Sequence, residues 1–92
     1  MNPTVVGLVT PHLLRVIDLA NEAEKGVNVD WHVRSAVTAT LSDLRQQYNA
    51  PALSAAYLDG LESAAAQAPR NRPAYARTLE RALAEARGSG RG

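Results

Sequence analysis

Apolar residues recur at spacings of three and four along almost the whole chain, and proline or glycine closes off each run. That period belongs to helices that bury one face, not to strands, whose period is two. The punctuation divides the chain into four such runs.

Thr10-Pro11 reads as an N-cap followed by proline at the first helical position. It opens a helix over 10–25, with Leu13, Val16, Ile17 and Ala20 on one stripe. Leu14 and Leu19 widen that stripe on both flanks, leaving Arg15, Asp18 and Glu22 as the wet face. Gly26 is the expected C-cap. Asp30 then caps a second helix over 30–48, whose stripe is Val33, Val37, Leu41, Leu44 and Tyr48.

Asn49-Ala50-Pro51 breaks the pattern and starts a third helix over 51–67, with Asn49 as cap. Its stripe is Leu53, Tyr57, Leu61, Ala64 and Ala68. Gly60 in its middle costs about 1 kcal/mol against alanine and marks close packing or a bend. Pro73 opens a fourth helix over 73–87, capped by Arg72 or Asn71 and striped by Tyr75, Leu79, Ala82, Leu83 and Ala86. Gly88 is expected to stop it, leaving 88–92 as a flexible Gly/Ser/Arg tail.

Residues 1–9 fit none of these runs. Thr4 to Val9 is a short β-branched apolar stretch with a glycine inside. A lone strand would have no partner here, so a short N-terminal arm is expected, packed on the bundle or reaching over a second subunit. The expected fold is all-α: a compact bundle of four short helices in a single domain over 1–92. A chain this short buries only roughly 60–65 % of its unfolded surface. Dimerisation or partner binding would add stability.

Enzymatic signals are poor. The chain has no cysteine, which excludes disulfides, thiolate metal sites and cysteine nucleophiles. It has two histidines, His12 and His32, each in the first turn of an expected helix, and a zinc site would need further ligands such as Asp30. There is no phosphate loop and no nucleophile elbow. The carboxylates are scattered, and Glu22 and Glu24, two apart, cannot share a helical face. No catalytic residue, cofactor or metal site is expected. No apolar run approaches the ~20 residues of a membrane span, and the first residues lack the basic start of a secretory signal. A cytoplasmic protein without a membrane partner is expected.

Charge is unevenly placed. Residues 1–68 carry four basic and seven acidic side chains, net −3. Residues 69–92 carry six basic and two acidic, net +4, and together these give the chain's +1. Arg77 and Arg81, four apart, form a ridge opposite the apolar stripe of the fourth helix, with Arg70 and Arg72 before it. Such a ridge suits phosphate contacts. Glu80 and Glu85 are spaced to pair with it instead, as on any solvated helix face. Aromatic interleaving and base-reading residues are missing.

The second helix offers another surface. Trp31, Arg34, Thr38, Ser42 and Arg45 follow one edge at spacings of three and four. Tryptophan and arginine are enriched at binding hot spots. The competing expectation is that Trp31 folds down over Val27 and Val29. With nine arginines to one lysine and abundant alanine, the composition is that of a GC-rich bacterial or phage genome. The expected function is a small non-catalytic interaction module, a regulator or inhibitor that binds a protein partner through Trp31, Arg34, Thr38 and Arg45. The alternatives are a homodimeric nucleic-acid-binding regulator using Arg70, Arg72, Arg77 and Arg81, and a structural subunit of a larger assembly.

Overall fold

The computed structural model describes residues 3–89, which form α1 (Pro3–Glu24), α2 (Asp30–Arg45), α3 (Ala50–Ala66) and α4 (Pro73–Ser89). Among the described residues there is no strand, and the all-α, four-helix architecture follows the periodicity. The outer ends of the expected arm and tail, residues 1, 2 and 90–92, lie outside the described residues.

The largest departure is at the start. Residues 3–9 are the first two turns of α1, not an arm, and Pro11 lies inside the helix. Val5 and Val9, four apart, continue the stripe of Val16 and Ala20, and all four are buried. An interior proline costs about 3 kcal/mol. Burying two valine side chains returns about 1.5–3 kcal/mol each, enough to offset it. Thr10 does not cap. Its hydroxyl donates to the Val6 carbonyl one turn back, at 2.7 Å.

The end of α1 is built as expected. Gly26 takes a φ of 98°, its N–H bonds the Ala23 carbonyl, and the Val27 N–H bonds the Glu22 carbonyl. Only glycine enters that conformation without strain, and the paired bonds satisfy the last carbonyls of the helix.

Other boundaries shift by a few residues. Val29, not Asp30, is the N-cap of α2, and the Val29 carbonyl accepts from the Val33 N–H at 2.8 Å. Asp30 occupies the first turn, where a carboxylate suits the helix dipole. Helix α2 ends at Arg45, so Tyr48 leaves the expected core stripe and stands fully exposed. The N–H groups of Gln46 and Gln47 bond back three residues, to Asp43 and Leu44, and this tighter turn ends the helix before α3 starts at Ala50.

Asn49 holds the cap position of α3 through its backbone, without a side-chain cap. The Arg72 carbonyl plays the same part for α4, accepting from the Ala76 N–H at 3.0 Å. Gly88 stays helical because its backbone does not turn left-handed as Gly26 does, so α4 runs to Ser89.

Every pair of helices is in contact. One core runs through the bundle from Val9 and Val16 through Val33, Val37 and Leu41 to Leu53, Tyr57, Leu61, Leu79 and Ala86. Gly60 marks close packing: a Cβ there would lie 2.5 Å from a methyl of Leu13. The radius of gyration, 12.6 Å, is close to the ~12 Å expected for a compact chain of this length.

Candidate functional site

Helix α2 buries Val33, Ala36, Val37, Thr40, Leu41 and Leu44 and turns the rest of its surface outward. At about 100° per residue, Trp31, Ser35, Thr38 and Ser42 fall within roughly 60° of one another on that outer face. Arg34 and Arg45 share one edge of it, and His32 and Asp43 lie towards the other. Trp31, Arg34, Ser35, Thr38, Ala39 and Ser42 line an open valley of about 550 Å³.

Trp31 keeps 72 % of its surface exposed, and Val27 keeps 48 %. Trp31 therefore does not fold down over the α1–α2 connection. Val29 of that connection is buried. Of the four residues expected on this surface, Trp31, Arg34 and Thr38 border the valley, while Arg45 lies beyond it and makes an interaction of its own.

The arginines of the C-terminal region have a different fate. Arg72 donates to the Asn21 side chain at 2.7 Å, and its guanidinium lies 4.3 Å from the centre of the Tyr75 ring. It holds the start of α4 against the end of α1. Glu24 adds a long hydrogen bond, accepting from the Tyr75 N–H at 3.5 Å. Arg81 approaches Asp30 of α2 at 3.8 Å, and Arg87 pairs with Glu62 of α3 at 3.0 Å.

The expected pairs Arg77–Glu80 and Arg81–Glu85 are not formed among the described residues, and Arg81 reaches across to α2 instead. Arg70 and Arg77 are exposed. A cleft of about 710 Å³ between the α1–α2 connection and α4 is lined by Arg77 and Arg81, and equally by Asp30 and Glu80. Its charges balance, so it does not favour an anion.

Sequence reasoning missed one polar contact inside the bundle. Thr40 of α2 is buried, with its hydroxyl 3.4 Å from Nδ1 of His12 on α1. Tyr57 of α3 is fully buried, and its hydroxyl has no well-formed hydrogen bond among the described residues. Burial raises its pKa, while the nearby Thr40 hydroxyl and the Arg15 charge act weakly the other way. Thr40 sits one position before Leu41 on the inward arc of α2, and that placement was the available signal. No group of three metal-ligating side chains converges among the described residues. Nor is any described helix long and apolar enough to cross a membrane. No family model, curated protein or solved structure matches the chain.

Proposed function

We propose that this chain is a small non-catalytic interaction module that binds a protein partner through the outer face of α2. On this reading it acts as a bacterial or phage regulator or inhibitor, blocking or bridging its target. Trp31 anchors the contact, Arg34 supplies directional donors beside it, and Arg45, beyond Thr38, joins the contact by exchanging the interaction it already makes. The observation that carries the reading is the position of the chain's single tryptophan, 72 % exposed beside Arg34. A large aromatic held in water by a rigid helix is the kind of group that binding energy concentrates on. The C-terminal arginines are a weaker basis for nucleic-acid binding, because Arg72 and Arg81 are already engaged within the bundle.

The test is capture from source-cell lysate with the tagged chain and with a Trp31→Ala, Arg34→Glu, Arg45→Glu variant of matched melting temperature. A protein retained at high salt after nuclease treatment, and lost with the variant, is the expected result. Equal retention by both chains would reject the surface. Nucleic acid recovered only at low salt would move the site to Arg70 and Arg77.

A further inference from the structure

The residues lining the α2 valley specify the chemistry of what fits it. Ser35, Thr38, Ala39 and Ser42 are all small, and Trp31 closes one end. A floor of small side chains lets a second helix approach near the short end of the 8–10 Å range of interaxial distances. Arg34 is the only ionisable side chain lining the valley. Of the two acids on α2, Asp30 stands one turn before Arg34 on the same edge and approaches Arg81 at 3.8 Å, and Asp43 lies towards the opposite edge. Arg45, three turns along, continues the cationic edge. A cationic edge beside hydroxyl-bearing and apolar groups favours carboxylates, which accept charge-assisted hydrogen bonds.

We infer that the occupant is an acidic amphipathic helix of another protein, lying along α2. It rests aliphatic side chains on Trp31 and Ala39 and directs carboxylates to the Arg34 edge. The stretch from Trp31 to Arg45 is about 21 Å long and takes a helix of about 15 residues. A second copy of the chain does not supply that complement: a two-fold antiparallel pairing through Thr38 sets each Arg34 against the other copy's Ser42, not against a carboxylate. This inference rests on the reading that the outer face of α2 binds protein.

The test uses the full chain. A displayed library of helical peptides of about 15 residues is selected on it, and the enriched peptides are titrated while the emission of Trp31 is followed. The expected result is enrichment of helices with carboxylates along one edge. These should perturb Trp31 emission, bind Arg34→Glu about tenfold or more weakly, and weaken with added salt. Arg34 is exposed, and a far-ultraviolet circular dichroism spectrum confirms that the variant is folded.

Enrichment of neutral or basic helices, or none beyond a Trp31→Ala control, would overturn the inference. So would a Trp31 response to duplex DNA alone, or a dimer in light scattering that Trp31→Ala abolishes. If the library fails while a protein captured from cells still depends on Trp31, the acidic helix is wrong and the outer-face reading stands. If that dependence is also absent, both fall.

Discussion

The two faces of α2 have opposite surroundings. Along the inner face, Val33, Val37, Leu41 and Leu44 are excluded from water and hold α2 to its neighbours. Along the outer face, Trp31, Arg34, Thr38 and Ser42 stand in solvent. The inner face is what the bundle requires. The outer face is the one proposed above for the partner contact. The contrast also separates the arginines: Arg72 joins α4 to α1, whereas Arg34 contacts no acid within 4 Å among the described residues.

Substitutions on each face should therefore read out differently. The largest effect is expected from Leu41→Ala, which leaves a cavity and lowers stability by about 2–5 kcal/mol in urea denaturation. Trp31→Ala should lower partner affinity by about 2 kcal/mol or more, roughly thirtyfold, in a calorimetric titration with the captured partner. The same substitution should change unfolding stability by no more than about 0.5 kcal/mol. A loss of stability approaching that of Leu41→Ala would mean that Trp31 belongs to the fold.

Arg72→Ala should cost about 1–2 kcal/mol, because it removes a charge-assisted hydrogen bond and a stacked ring. Arg34→Ala should be silent in the same urea denaturation. The smallest effect is expected at Tyr57, beside Thr40 on the inner side. Tyr57→Phe should be neutral, or stabilising by up to about 1 kcal/mol, because it removes a buried hydroxyl with no well-formed hydrogen bond.

This residue also carries a pH signature. Burial raises the folded-state pKa of Tyr57 above the usual tyrosine value of about 10. Below that value both states are protonated and nothing is lost. Above it the unfolded chain ionises first, so the unfolded state binds fewer protons and stability falls as pH rises. Urea midpoints compared at about pH 8 and about pH 11 should show a larger drop for wild type than for Tyr57→Phe. Equal drops would place the phenol in contact with water.

Much of this was legible in the residues. The stripes of α2, α3 and α4 needed only a helical period, and Gly26 was recognisable as a cap because nothing else takes its φ so readily. Helix α1 was misread because Pro11 and the β-branched run Val5-Val6 are local signals, while the burial of Val5 and Val9 is tertiary. Tyr48 was misplaced for the converse reason: it keeps the period of a helix that ends at Arg45. The outer face of α2 could be listed from spacing alone. Whether Trp31 stood out from it or folded down over the α1–α2 connection is a tertiary matter, which no period encodes. The arginine-rich end misled because composition counts charges and does not show that Arg72 and Arg81 reach Asn21 and Asp30.

The most direct test is photo-crosslinking in source cells. A photoreactive amino acid replaces Thr38 on the outer face of α2 or, as the comparison, Ala84 on the exposed side of α4. A discrete crosslinked protein from position 38, absent from position 84 and lost when Trp31→Ala is added, is the predicted result. Crosslinks from position 84 with none from position 38 would contradict the assignment of the outer face of α2.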